Sequence, residues 1–140
     1  MKKILLAFLL GTATLAVGTS CTKEYYDTVV PSITMVYSRD ANQWQNVQNS
    51  TTSKFVPLSV PELTDYYVKQ GIVNVAISFD NESNYNTLPA TIDGVSYNYE
   101  YTAGSLTVFA QDPLLEEGIN VPVPQRAFFK ISLTEADFVE

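Results

Sequence analysis

The chain holds no histidine, which removes Ser-His-Asp and Cys-His catalysis together with every histidine-based zinc site. Its one cysteine, Cys21, rules out an intramolecular disulfide and any cysteine metal cluster. Glycines are few, and none sits in a phosphate-cradling loop or a dinucleotide fingerprint. The one long apolar stretch, Ile4 to Val17, falls short of the roughly 20 residues that carry a helix across a bilayer. Basic residues are scarce as well. From Cys21 onward six Lys and Arg stand against fifteen Asp and Glu, a net charge of −9. Such a domain lacks the cationic surface that neutralises phosphate, so nucleic acid is excluded as a partner, and so is lying flat on anionic lipid.

What is present begins with an address. Lys2 and Lys3 precede the uncharged stretch, and Gly18, Thr19 and Ser20 are small residues placed directly before Cys21. A buried core helix would be amphipathic, and Ile4–Val17 is not. The segment resembles a bacterial type II (lipoprotein) signal peptide, with Gly18 where such sequences prefer Leu. The resemblance implies cleavage after residue 20, diacylglyceryl on Cys21, and a membrane held through acyl chains, since two or more chains make a lasting anchor. Residues 21–32 then form a short tether and residues 33–140 the folded domain.

The body of the chain reads as strands. Ile33, Met35 and Tyr37 alternate with Thr34, Val36 and Ser38. Residues 42–53 form a long polar turn around Trp44, and Phe55–Val60 is a strand that Pro57 assigns to a sheet edge. Thr64 caps two helical turns over Asp65–Gln70, which Gly71 ends. Val73, Val75, Ile77 and Phe79 alternate next, and Leu88–Ile92 is a short strand before Asp93-Gly94, a two-residue hairpin signal. Val95, Tyr97, Tyr99 and Tyr101 share one face of a strand that Ala103-Gly104 turns into Leu106, Val108 and Ala110. Either a two-residue or a four-residue loop there sets Tyr101 opposite Leu106, Tyr99 opposite Val108 and Tyr97 opposite Ala110. A last strand covers Ala127–Leu133. The expected fold is all-β: an antiparallel two-sheet β-sandwich of about seven short strands with one short helix, after a cleaved N-terminal signal peptide.

Several of these segments carry a wider likeness. Trp44 in its polar turn, Val60-Pro61-Glu62-Leu63-Thr64, Gly71 before a valine-rich strand, the tyrosine hairpin and Phe128-Phe129-Lys130-Ile131 resemble a group of small Bacteroidota-type lipoproteins. The resemblance implies an envelope lipoprotein anchored in the outer membrane, and it brings no catalytic residue. Thr22-Lys23-Glu24 is similar to the opening of the signal that sends such lipoproteins outward, which makes Lys23 and Glu24 an export signal and the cell surface the expected place.

Little in the body suggests chemistry. Asp80, Glu82 and Asn84 alternate oxygen ligands as a calcium loop does, but Tyr85 stands where the loop glycine belongs and Thr91 where the closing Glu belongs. The loop therefore reads as a solvated turn, with no cofactor. Glu116 and Glu117 are adjacent, so they point apart and make a poor pair for glycoside hydrolysis. The aromatics leave two readings open: core and sheet-face residues, or a stacking platform for a glycan or protein partner built from Trp44, Tyr85, Tyr97, Tyr99 and Tyr101. A non-catalytic binding or scaffolding module is the expected function, and a carboxylate-dependent glycan hydrolase is the alternative.

Overall fold

The computed structural model describes residues 32–136. The segment expected to be a signal peptide (residues 1–20), Cys21, Lys23 and Glu24 lie outside the described residues. Within them run β1 (Ser32–Asp40), a 3-10 turn (Ala41–Gln43), β2 (Gln45–Asn46), β3 (Ser53–Ser59) and α1 (Asp65–Lys69). There follow β4 (Ile72–Ser78), β5 (Asn86–Thr87), β6 (Ala90–Ile92), β7 (Val95–Thr102), β8 (Ser105–Gln111) and β9 (Arg126–Thr134).

The strands form two antiparallel sheets, ordered β1-β9-β4-β5 and β2-β3-β8-β7-β6. Each gives one apolar face to a shared core: Val73, Val75, Ile77, Phe129, Ile131 and Leu133 from the first, Val56, Leu58, Leu106, Val108 and Tyr97 from the second. Each such side chain contributes about 1.5–3 kcal/mol when fully buried. The molecule is a β-sandwich.

Both hairpins take the expected register. Asp93 and Gly94 adopt φ of 49° and 80° between Ile92 and Val95. Thr102 faces Ser105, Tyr101 faces Leu106, Tyr99 faces Val108, Tyr97 faces Ala110 and Glu100 faces Thr107. Pro57 also sits as expected. β2 pairs only with Phe55 and Lys54, so β3 is an edge at Pro57, and the Pro57 carbonyl on that side accepts from Arg39 Nη2. Residue N–H and C=O groups share a side, so the missing N–H falls where no strand needs it.

Three details differ from the sequence expectation. The strand expected over Leu88–Ile92 is divided between the sheets. β5 pairs with β4, Leu88 still donates to the Val75 carbonyl at 2.8 Å, and β6 pairs with β7. The chain crosses at Leu88–Pro89, whose peptide bond is cis, and Leu88 is buried between the sheets. A second two-residue strand, β2, forms inside the long polar turn, so the described residues hold nine strands, two of them of two residues, where about seven are expected. Thr64 occupies the N-cap of α1 without a side-chain cap bond. That helix is held by tertiary contact instead, with Tyr67 buried and the Tyr66 hydroxyl donating to the Ala136 carbonyl at 2.9 Å, while Gln70 and Gly71 close its last turn on the Tyr66 carbonyl.

Candidate functional site

The five aromatics singled out in the sequence do not meet on one surface. The β7 register turns Tyr97, Tyr99 and Tyr101 toward the other sheet. Tyr97 is buried, edge-on to Trp44 at 6.4 Å between ring centroids and 5.5 Å from Phe79. Burial, helped by the nearby Asp93 charge, pushes its hydroxyl up to about 12. Trp44 is buried too, 6.2 Å from Phe129, and its Nε1 finds no hydrogen-bond partner among the described residues. Of the two readings left open for the aromatics, Trp44 and Tyr97 take the first and are core residues. The polar neighbours of Trp44 in sequence conceal a tertiary contact that only the folded sheets create. Tyr99 and Tyr101 stack at 6.3 Å on the rim, half-buried.

Tyr85 lies apart from all four. Its hydroxyl donates to Glu82 Oε1 at 2.7 Å, and Lys130 Nζ stands 3.7 Å from its ring centroid, on the outer side of the β1-containing sheet. Burial first, then the Glu82 bond, pushes its hydroxyl up to about 12.

The loop before Tyr85 is closed on its own carboxylate. Asp80 Oδ1 accepts from Ser78 Oγ at 2.8 Å and from Asn84 N–H at 3.0 Å, and Oδ2 accepts from Asn84 Nδ2 at 2.6 Å. The Asn84 bonds above all hold the Asp80 carboxyl down at about 2. Asn81 and Glu82 take φ of 54° and 67°, the left-handed turn that this knot fixes. Three donors of the loop itself thus engage the Asp80 carboxylate, the first ligand position of a calcium loop.

The carboxylates singled out in the sequence lie on an exposed loop, and one cleft among the described residues holds a single carboxylate. Glu116 and Glu117 are exposed on the β8–β9 loop. A cleft of about 500 Å³ lined by Asp40, Asn42, Asn81, Gln125 and Arg126 holds one carboxylate, and Arg126 Nε donates to it at 2.7 Å. Glycoside hydrolysis needs a second carboxylate about 5–9.5 Å away, and none lines this cleft. Among the described residues no three acidic, histidine or cysteine side chains gather as metal ligands.

A different arrangement emerges on the outer face of the five-stranded sheet. Gln45, Phe55, Phe109 and Asn98 stand directly opposite one another on β2, β3, β8 and β7. Their inward neighbours Val56, Val108 and Tyr97 are buried, so this row points outward. The Phe55 and Phe109 rings are half-buried, with centroids 6.4 Å apart. Asn98 Nδ2 donates to Gln111 Oε1 at 2.8 Å, and Gln111 Nε2 donates to Ser53 Oγ at 3.3 Å, an amide chain beside the rings. Four strands in succession span roughly 14 Å. Two apolar rings with a carboxamide at each end, and no charge in the row, match a flat neutral ligand that stacks and exchanges hydrogen bonds. The tyrosine hairpin register already implied it: with Val108 and Ala110 turned inward, Phe109 has to face out.

No family model, no curated protein and no solved structure matches the chain.

Proposed function

We propose that the protein is a lipid-anchored lipoprotein of the bacterial cell envelope whose sandwich serves as a non-catalytic, glycan-binding module on the outer membrane. The anchor rests on the sequence: a charged leader, small residues before Cys21, and Cys21 as the sole thiol. Lys23 and Glu24 direct the protein to the outer surface. The binding role rests on one observation, the outward row Gln45–Phe55–Phe109–Asn98. Sheets normally give solvent their polar face, and a cross-strand phenylalanine pair there costs solubility without adding to the core. Neutral sugars offer what the row lacks, an apolar ring face edged by hydroxyls.

Partitioning of the Cys21→Ser variant tests the anchor. It should move from the detergent phase to the soluble fraction, and unchanged membrane retention would contradict lipidation. Changing Lys23 and Glu24 to Ala should reduce protease shaving on whole cells while leaving the lipid in place. Retention on immobilised neutral glycans without release of shorter sugars tests the binding role. Released sugar would turn the reading toward the hydrolase.

A further inference from the structure

The free edge of the β1-containing sheet is only partly closed. In β1 the odd-numbered residues bond β9, and that ladder continues in the 2.9 Å bond from Ala41 N–H to the Gln125 carbonyl. Backbone groups alternate sides along a strand, so Ser32, Thr34, Val36, Ser38 and Asp40 direct theirs to the open edge. At the C-terminal end that edge is already used. Arg39 Nη1 donates to the Ser38 carbonyl at 2.8 Å, and the Asp40 N–H donates to Gln43 Oε1 at 2.9 Å. Among the described residues no hydrogen bond reaches the edge-facing groups of Ser32, Thr34 or Val36. The stretch itself has no charge and no proline and keeps an unbroken register with β9, so its own residues do not blunt the edge. Ile33 and Val36 remain 39% and 45% exposed.

We infer that Ser32–Val36 pairs antiparallel with the same stretch of a second copy, about a two-fold axis through Thr34. A hydrogen-bonded antiparallel pair needs edge-facing groups on both residues, so even-numbered residues must meet even-numbered ones. Centring on Ile33 or Met35 would pair only two of the three open residues of each strand, and centring on Val36 would require Ser38, whose carbonyl Arg39 already holds. Centring on Thr34 uses only the open residues: Thr34 faces Thr34 of the second copy, Ser32 faces its Val36, and Val36 faces its Ser32. On the core side each Ile33 then lies beside Met35 of the other copy, which covers the exposed isoleucine. No charged side chain enters this window, so two acidic domains meet where neither carries charge.

The chain ahead of the strand suits a second copy. Residues 21–31 reach about 36 Å when extended. In this register the two Ser32 residues are only four strand steps, roughly 14 Å, apart. Both lipid anchors therefore reach one membrane, and confinement there raises the effective concentration of each copy for the other. The result is a continuous eight-stranded sheet, with the phenylalanine face of each copy left free.

Oxidative cross-linking of the full-length protein in its native membrane tests this. Thr34→Cys meets itself across the axis and should give a disulfide-linked dimer, whereas Asn74→Cys, exposed on the inner strand β4, should not. Sedimentation of the parent chain in detergent should give a dimer. Val36→Lys, at an exposed position, should lose both the Thr34→Cys cross-link and the dimer. A monomeric parent, absence of the Thr34→Cys dimer, or equal cross-linking at Asn74 would overturn the register. Sedimentation involves no thiol, so a parent whose Cys21 proves unlipidated would contradict the anchor and leave this result readable.

Discussion

The Tyr99 hydroxyl donates a 2.9 Å hydrogen bond to the Val73 carbonyl, joining β7 of one sheet to β4 of the other. The bond closes a gap in the backbone pairing. On that side of β4, Val75 receives Leu88 and Ile77 faces Asn86, but the chain leaves the sheet at Pro89 and no strand among the described residues reaches Val73. Tyr99→Phe should therefore cost about 1–2 kcal/mol, the penalty of an unpaired backbone acceptor. Tyr99→Ala should cost about 3 kcal/mol, because the stack on Tyr101 is lost as well. Glu100→Ala, exposed on the other face, should stay within about 0.5 kcal/mol. Thermal unfolding of the three variants gives the order directly, and equal melting temperatures for the Tyr99→Ala and Glu100→Ala proteins would contradict the inward ladder.

Acid should act on the Asp80 loop. The folded carboxyl sits at about 2 against an ordinary 3.8, chiefly through the Asn84 bonds. A depressed folded value stabilises fully above the unfolded value, and that stabilisation is lost as pH falls through about 2. Carboxyl titration by NMR should show the Asp80 midpoint near 2 in the parent and higher in the Asn84→Ala variant, which loses the Nδ2 bond but keeps the residue-84 N–H and Ser78 hydroxyl bonds. A parent midpoint at the ordinary value would mean the loop is not closed on Asp80.

Gly71 is a packing requirement. A Cβ there would lie 2.6 Å from Tyr67 Cδ1, 2.9 Å from Tyr67 Cα and 3.0 Å from the Thr134 carbonyl oxygen. Two of those neighbours are backbone and cannot give way. Gly71→Ala should cost about 1–3 kcal/mol from overpacking. Gly104→Ala meets no atom within 4 Å but must hold φ at +79°, and should cost about 1 kcal/mol from the left-handed backbone alone. Chemical denaturation separates the two, and a neutral Gly71→Ala would show that α1 is not seated on the start of β4.

Much of the sandwich is legible in the sequence because its strands alternate and its hairpin turns are short. Asp93-Gly94 and Ala103-Gly104 fix three strands, and the buried face of β7 then fixes their register. Legibility fails where the signal is not local. Trp44 sits among polar residues, yet it is buried against Tyr97 and Phe129 from two different sheets. Leu88–Ile92 reads as one strand although Pro89 interrupts it, and the proline alone does not say that the residues on either side belong to separate sheets. Phe55-Val56-Pro57-Leu58 is apolar on both faces, so period-two reading cannot tell inside from outside. The outward ring of Phe55 becomes visible only when β8 is laid beside it and Phe109 appears opposite.

The most direct test of the binding role is a titration with soluble neutral β-linked oligosaccharides, comparing the parent with a Phe55→Ala, Phe109→Ala double variant. The rings lie outside the core, and their cross-strand contact contributes only about 0.2–1 kcal/mol to the fold, so the variant should stay folded. Each ring adds about 1 kcal/mol of stacking contact, so affinity should fall at least about tenfold while the oligosaccharide stays uncut. Unchanged affinity in the double variant, or a parent that binds no neutral glycan, would contradict a binding site on the outer face of this sheet.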